Sequence, residues 1–222
     1  MERVSTIGCM PKSVDLEYIR AAMRLPLPGR EAQQTMAVRP RPGDLAGLPN
    51  LCPHEGAVLV LLHQSAGCWV LPVTARTQSV AFHKGQVSLP GGAREPQDTS
   101  LEQTALRETR EELGIHRADI HILGPLTPLY IPVSRFCVYP FVGYALGDLS
   151  LHPELSEVEA VIEVPVEHLL DPLNRRVETH FREGQRFEVP EYVIQGYRIW
   201  GATAMILAEF LAMMSDALHL EP

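Results

Sequence analysis

The sequence feature that most constrains the fold is an uninterrupted apolar run at residues 57–62, Ala-Val-Leu-Val-Leu-Leu. A strand that is apolar on both faces must be covered on both faces, which is typical of a sheet between layers of helices. Further strands are predicted at residues 69–74, 86–89, 120–123, 138–145 and 158–164, with a hairpin at 177–182 and 186–189. Helices are predicted at residues 13–23, 99–113, 165–170 and 202–218. This irregular alternation favours an α/β (α+β) fold with a mixed sheet.

The first fifty residues differ in composition from the rest of the chain. After the predicted helix at residues 13–23, prolines and glycines between residues 26 and 49 repeatedly interrupt regular structure. The sequence therefore predicts an N-terminal helix and proline-rich arm at residues 1–50. It predicts a main domain at residues 51–222, on which the arm is expected to pack.

The charge balance excludes one large class of partner. The chain has 222 residues and a formal net charge of -8. A nucleic-acid-binding protein normally presents a basic patch or stripe, so no nucleic acid is expected as a bulk partner. Isolated Arg and Lys residues can still line a small anionic pocket.

The four cysteines are Cys9, Cys52, Cys68 and Cys137. They form no CxxC pair, so the spacing predicts neither a zinc site nor a dense disulfide framework. It favours free buried thiols in a reducing compartment. No apolar run has the length of a membrane span, and the N-terminus lacks the pattern of a secretory signal. The sequence therefore predicts a cytoplasmic protein with no membrane partner.

The clearest helix signal lies at residues 99–113. Thr99 and Ser100 are the candidate N-caps, and Gly114 is placed to end the helix. The apolar positions of the segment share one face, which is expected to pack on the sheet.

A second face of this helix is acidic. Glu108, Glu111 and Glu112 fall at positions i, i+3 and i+4, so their carboxylates lie together. Hard divalent cations prefer such an oxygen-rich environment. The structural alternative is a solvated acidic face that pairs with Arg107 and Arg110 on the same helix.

The segment before the helix favours a metal site over a solvated face. Residues 86–92, Gln-Val-Ser-Leu-Pro-Gly-Gly, lead from a strand through a loop towards the acidic helix. Paired glycines allow positive φ and leave backbone carbonyls accessible, so one carbonyl can join the carboxylates around an ion. Such a unit suits metal-assisted attack on phosphorus.

These residues resemble the Nudix box. Gly92, Asp98 and residues 107–115, Arg-Glu-Thr-Arg-Glu-Glu-Leu-Gly-Ile, follow its order of Gly, Glu, Arg-Glu-aliphatic-x-Glu-Glu-x-Gly-aliphatic. Asp98 stands in the first Glu position, it lies one residue further from Arg107 than usual, and Thr109 fills an aliphatic position. The resemblance implies a Nudix hydrolase domain at residues 51–222, folded as an α/β/α sandwich with a mixed sheet between helices.

The coenzyme A pyrophosphatase branch of that family is the most similar, because it has the longer box with Asp. It also has an upstream stretch that resembles residues 74–77 and 81–93, although Phe82 and Ala93 replace its Arg and Lys. The resemblance implies cleavage of coenzyme A or acyl-CoA to 3′,5′-ADP and 4′-phosphopantetheine. Loss of the two cations keeps open another substrate, such as ADP-ribose, NADH or a nucleoside triphosphate.

The resemblance and the helical geometry agree on the metal ligands. They assign Glu108 and Glu112 first, then Glu111, with a backbone carbonyl from Gly92, or from Gly91 if the loop register differs. Mg²⁺ and Mn²⁺ both suit these oxygen ligands.

Other roles follow from the same resemblance. Arg107 is expected to orient the carboxylates by pairing with Asp98. Glu111 and Glu157 are both candidates for the general base.

Arg76, His83 and Lys84 are expected to bind the phosphates of the small-molecule substrate. Arg76 and Lys84 can instead be solvated charges, and His83 beside Gly85 can serve loop structure. A catalytically silent Nudix fold that senses a ligand is the alternative to an enzyme, and the intact carboxylates argue against it. The sequence leaves monomer and homodimer open.

Overall fold

The computed structural model describes residues 15–40, 52–76, 87–147 and 149–218, and for Arg76 and residues 216–218 the backbone alone. The helices are α1 (Leu16–Ala22), α2 (Gly29–Gln34), α3 (Leu101–Leu113), α4 (Val166–Leu170) and α5 (Gly201–Leu218). The strands are β1 (His54–Ser65), β2 (Cys68–Arg76), β3 (Val87–Ser88), β4 (Gly91–Ala93), β5 (Ile120–Pro125), β6 (Leu129–Ile131), β7 (Phe136–Ala145), β8 (Val158–Pro165), β9 (Arg175–Arg182), β10 (Gln185–Ile194) and β11 (Tyr197–Trp200). Short 3-10 helices lie at Arg117–Asp119 and Pro172–Asn174.

A mixed sheet forms the centre of the molecule. Its strand order is β3-β2-β1-β7-β5. Outside this order, β4 pairs with β1, β6 pairs with β7, and β8 pairs with β2. β1 and β7 run parallel, and the other strand pairs within the described ranges are antiparallel. A second, antiparallel sheet has the order β11-β10-β9. The mixed sheet predicted from the sequence is confirmed.

The two faces of β1 are covered by different helices. Val60 and Leu62 join the core that contains α1 and α5, whereas Leu59 and Leu61 join the core beneath α3. All four side chains are fully buried. The prediction that the apolar run forms a strand covered on both faces is therefore confirmed, since β1 lies between two helical layers.

α5 is the longest helix of the described chain, and nearly all of its described side chains are buried. They pack on the face of the sheet opposite to α3. Within the described ranges, none of the helices is both long enough and apolar enough to cross a membrane.

The predicted strands at residues 69–74, 120–123, 138–145 and 158–164 are confirmed as β2, β5, β7 and β8. Pro72 is tolerated within β2 because the pairing of β2 with β1 reaches only Val70. At Pro72 the neighbouring strand is β8, where Glu163 lies opposite. The hairpin of β9 and β10 and the C-terminal helix are also confirmed. The sequence interpretation missed the short helix α2 and the strands β4, β6 and β11, which have only a few residues each.

The first described segment packs on α5. α1 begins after Asp15, whose carboxylate accepts a hydrogen bond from the backbone of Tyr18, and ends earlier than predicted. In α2, the Gln33 amide donates to Glu209 at 2.8 Å and to the Thr127 carbonyl at 2.7 Å. Both Gln33 and Glu209 are buried. These contacts agree with an arm that packs on the main domain, while the boundary at residue 50 stays a prediction.

The prediction of free thiols is wrong. Cys52 and Cys137 form a disulfide that links the chain just before β1 to β7. Among the described cysteines none is free. The two residues are separated by 85 positions in the sequence and meet because β1, which follows Cys52, runs parallel to and beside β7, so spacing alone did not indicate the pair.

Candidate active site

Helix α3 begins and ends where its capping residues require. The Ser100 hydroxyl accepts a hydrogen bond from the backbone of Gln103, and the Gln103 side chain accepts one from the backbone of Thr99. The first bond satisfies a backbone donor of the first turn, and the second ties the residue before the N-cap to the helix. Gly114 has a φ of 73° at the other end, where a left-handed residue terminates the helix.

The glycine segment lies tightly between β1 and α3. β4 pairs with β1, with Gly92 opposite Ala57 and Gly91 opposite Val58. A Cβ atom on Gly91 would stand 2.3 Å from the carbonyl oxygen of Ala57, and its φ is 156°. Only glycine fits there.

Gly92 brings the glycine segment against the acidic helix. A Cβ atom at this position would stand 2.4 Å from Oε1 of Glu108 and 2.5 Å from Cδ of the same carboxylate. The backbone of Gly92 and the carboxylate of Glu108 are therefore neighbours, as a shared metal shell requires.

Arg107 connects the other parts of the site through its hydrogen bonds. Its guanidinium donates to both carboxylate oxygens of Asp98, at 3.1 and 3.0 Å, and to the carbonyl of Ala93 at 2.9 Å. Its Nη1 donates to Glu108 at 2.9 Å and to Glu111 at 2.8 Å. One side chain thus joins the glycine segment, the loop before the helix and two of the three acidic residues.

The pair between Arg107 and Asp98, expected from the sequence, is present and strong. Asp98 is buried, and it also accepts hydrogen bonds from the Thr104 hydroxyl at 3.0 Å and the Glu95 backbone at 2.9 Å. Its contact with Arg107, aided by those two donors, lowers the pKa of Asp98 from 3.8 to about 2, against the effect of burial. The pKa of Arg107 is raised, mainly by Asp98. The sequence interpretation missed Thr104, whose position one turn after Ser100 on the buried face was the available signal.

The three acidic residues of α3 have different environments. Glu112 is buried, the Glu108 side chain is 16% exposed, and the Glu111 side chain is 47% exposed. Burial raises the pKa of Glu108, Arg107 lowers it, and the charges of Glu111 and Glu157 raise it further. Glu157 is therefore close enough to Glu108 for their charges to interact.

The loop before β8 brings Glu157 to the helix. The backbone of His152 donates to the carbonyl of Leu113 at 2.8 Å, and that of Glu154 donates to the carbonyl of Glu112 at 3.2 Å. The carbonyls at the end of α3, which have no partner within the helix, are thus satisfied by this loop. Glu157 follows three residues after Glu154, at the end of a single turn, and its side chain is exposed.

The donor set fits a hard divalent ion. Glu108, Glu111 and Glu112 supply carboxylate oxygens from one helix face, and the backbone of Gly92 lies against the Glu108 carboxylate. In the described parts of the chain, no group of three or more His, Cys, Asp or Glu residues is arranged as a metal site. The contacts of Arg107 with Glu108 and Glu111 occupy oxygens of two of the expected ligands. The ligand assignment stays a prediction.

The predicted phosphate-binding residues are only partly located. Arg76 ends β2, where the pairing with β8 becomes irregular, and His83 and Lys84 lie outside the described residues. Thr109, which fills an aliphatic position of the box, is buried and donates its hydroxyl to the Ala105 carbonyl at 2.7 Å. Its polar group is thereby satisfied within the helix.

A cleft of about 490 Å³ opens beside the loop that follows β4. Its wall includes His54, Arg94 and Phe136 as well as Asp98, which binds Arg107. Arg94 also lies 3.4 Å from Glu55. The cleft has the size of a small-molecule site.

Comparison with known proteins gives one family. A NUDIX domain model matches residues 53–183. The chain is 37% identical over 171 residues to the human mitochondrial coenzyme A diphosphatase NUDT8, an alignment that covers 75% of this chain and 72% of that protein. It is 38% identical over 137 residues to the uncharacterized Nudix hydrolase NudL of Photorhabdus laumondii, covering 62% of this chain and 73% of NudL.

A solved structure shares the fold. The Nudix hydrolase RenU from M. smegmatis aligns with a TM-score of 0.50 at 15% identity, and covers 76% of this chain and 88% of RenU. At that identity the likeness concerns the fold alone.

Proposed function

The chain belongs to the NUDIX domain family, and on that premise we propose that it is a divalent-metal-dependent pyrophosphohydrolase of coenzyme A or acyl-CoA. The products are 3′,5′-ADP and 4′-phosphopantetheine or its acyl form. The observation that supports the hydrolytic site is the meeting of Gly92 with Glu108 beneath the guanidinium of Arg107. The observation that supports the substrate is the 37% identity to a protein named coenzyme A diphosphatase.

Four residues are proposed to hold the ion. Glu108, Glu111 and Glu112 contribute carboxylate oxygens, and Gly92, or Gly91 if the loop register differs, contributes a backbone carbonyl. Mg²⁺ or Mn²⁺ bound there supplies a Lewis acid that neutralises phosphate charge and lowers the pKa of an attacking water.

The remaining steps belong to the protein's own side chains. Arg107 holds Glu108 and Glu111 in place, because its other hydrogen bonds to Asp98 and Ala93 fix the guanidinium. The proton of the attacking water is accepted by Glu111 or Glu157, the more exposed carboxylates near Glu108. Arg76, His83 and Lys84 are proposed to bind the substrate phosphates.

Product analysis tests both parts of this proposal. Coenzyme A is incubated with Mg²⁺ and wild-type protein, with Glu112→Gln protein, or with wild-type protein and excess EDTA. The expected result is 3′,5′-ADP and 4′-phosphopantetheine in the first reaction alone. Product formation that survives both Glu112→Gln and EDTA would refute the metal-dependent site.

A second substrate class is favoured by Ala93 and Phe82, which stand where the coenzyme A branch has Lys and Arg. Coenzyme A, dephospho-coenzyme A, ADP-ribose and NADH are therefore compared at equal concentration. A preference for coenzyme A over its dephospho form supports recognition of the 3′-phosphate. Cleavage of ADP-ribose or NADH with coenzyme A left intact would keep the hydrolytic site and overturn the substrate.

The cytoplasmic location predicted from the sequence remains a proposal. The disulfide between Cys52 and Cys137 argues against it, because disulfides persist mainly in oxidising compartments. Thiol-alkylation mass spectrometry on protein trapped with acid in intact cells decides the point. Alkylated Cys52 and Cys137 support a reducing compartment, and a recovered disulfide refutes it.

A further inference from the structure

Strand β9 (Arg175–Arg182) forms an outer edge of the three-stranded sheet. Seven of its eight residues are exposed, and Glu178 is partly so. Over the stretches of chain that the structure describes, β10 is the one strand paired with β9. An exposed edge strand offers its backbone donors and acceptors to a further strand.

The hydrogen bonds of the next strand show which groups of β9 point outwards. The backbone of Glu188 in β10 exchanges two hydrogen bonds with Arg39, at 2.9 and 2.7 Å, on the side away from β9. Thr179 lies opposite Glu188 and therefore belongs to a pair without hydrogen bonds between them. The N–H and C=O groups of Thr179 thus face the outer edge, and by alternation so do those of Val177 and Phe181.

The same three residues also place their side chains on one face of the sheet. Val177 is 57% exposed and Phe181 is 74% exposed. Two large apolar side chains therefore lie on this face, one two positions before Thr179 and one two positions after it. Polar side chains occupy the alternate positions, with Glu178 and His180 flanking Thr179 on the other face.

We infer that β9 is the homodimer interface of this protein, where it pairs antiparallel with β9 of a second copy about a two-fold axis at Thr179. In this register the outward N–H and C=O groups of Val177, Thr179 and Phe181 bond to those of the second copy. Val177 lies opposite Phe181 of the second copy, and Glu178 lies opposite its His180. An interface of this kind uses the same patch on both copies.

Other symmetric registers are less complementary. A two-fold axis at Glu178 places the two Glu178 carboxylates opposite each other. An axis at His180 opposes the two His180 rings and separates Val177 from Phe181. The axis at Thr179 joins two apolar side chains on one face and Glu178 with His180 on the other, whereas like charges directly opposite destabilise a strand pair.

One like-charge pair remains in the preferred register, between Arg176 and Arg182 of the second copy. Arg176 already has counter-charges, because its guanidinium lies 2.7 Å from Glu191 and 3.2 Å from Glu178. Glu191 is fully buried beside it. The repulsion is therefore partly compensated within each copy.

Cysteine cross-linking tests the axis directly. In the proposed dimer the two Thr179 Cα atoms lie about 5.5 Å apart, which is within the range of a disulfide. Thr179→Cys protein is therefore expected to form a disulfide-linked dimer under mild oxidation. Arg186→Cys is the matched control, since this exposed position lies one strand inside the edge. Equal cross-linking of the two variants, or none of the first, would overturn the inference.

Light scattering gives a second, independent test. The wild-type chain, 24.7 kDa as a monomer, is expected at twice that mass. Phe181→Lys should weaken the dimer about tenfold or more, because a charge on the edge opposes pairing. Val133→Lys, at an exposed apolar position in the turn before β7, should leave the mass unchanged. A wild-type monomer at every concentration, or a dimer insensitive to Phe181→Lys, would refute the interface, and neither readout depends on the substrate.

Discussion

Replacing Asp98 with Asn tests the role of the buried ion pair beneath the acidic helix. The substitution keeps the shape of the side chain and removes its charge. Arg107 then loses the negative charge of Asp98 and one of its two acceptor oxygens, while its contacts with Glu108 and Glu111 remain. We expect Asp98→Asn to lower stability and to weaken activity by about 10–100-fold, as loss of a residue that orients metal ligands commonly does.

The size of the stability effect follows from the pKa of Asp98. The folded protein lowers this pKa from 3.8 to about 2, and Asp98 is buried. The difference corresponds to about 2 kcal/mol at neutral pH, or about 4–8 °C in Tm for a chain of this length. Because the folded-state pKa is the lower one, this contribution is complete above the unfolded value and disappears as the pH falls through about 2.

Urea denaturation of both proteins, from neutral pH in steps down to about pH 2.5, measures this difference. The gap between wild type and Asp98→Asn should be constant near neutrality and should shrink below about pH 4. Asp119→Asn, at an exposed position in the 3-10 helix after α3, is the control and should cost little. Identical midpoints at neutral pH, or a gap that does not shrink in acid, would show that the ion pair does not stabilise the fold.

Three further perturbations address other contacts. Gly92→Ala places a Cβ atom 2.4 Å from the Glu108 carboxylate and should displace it. We expect kcat to fall about a hundredfold; an unchanged kcat would show that the close approach of Gly92 to Glu108 is not needed for activity. Glu209→Leu removes one of the two acceptors of the buried Gln33 amide and the acceptor of the Thr127 backbone, and should cost about 2 kcal/mol in urea denaturation, whereas no loss would mean that the arm is held by other contacts. Cys52→Ser removes the disulfide to Cys137 and should cost about 2–4 kcal/mol; equal melting of this variant and wild type under non-reducing conditions would show that the bond is absent or makes no contribution.

The parts of the fold that were predictable have local causes. The run at residues 57–62 favours a strand covered on both faces because it has the length of a strand and is apolar at every position. The limits of α3 follow from Ser100 and Gly114, which act on the nearest turn of backbone. The acidic face of α3 follows from helical periodicity alone.

The features that were missed depend on distant residues. Cys52 meets Cys137 only because β1 and β7 are adjacent and parallel. β11 was missed because its four residues alternate too weakly between polar and apolar to identify a strand. The turn that precedes it has positive φ at Gln195 and Gly196, which only the structure shows. The role of Thr104 depends on where Asp98 lies, and its position on the buried face one turn after Ser100 does not show which residue of the preceding loop it bonds.

The two-sided burial of β1 restricts where the length of this chain can change during evolution. Inserting one residue into β1 would move the side chains of each core to the opposite face of the sheet. It would also move Gly56 away from Gly92, although only glycine fits there, since a Cβ atom on residue 56 would stand 2.4 Å from the carbonyl oxygen of Gly92. No gradual repacking leads from one register to the other. The turn that follows is different, because a Cβ atom on Gly67 has no neighbour within 4 Å. Among descendants of this sequence, insertions and deletions should therefore accumulate at the turns after β1 and β9, whereas β1 should keep a constant length even where its residues have diverged.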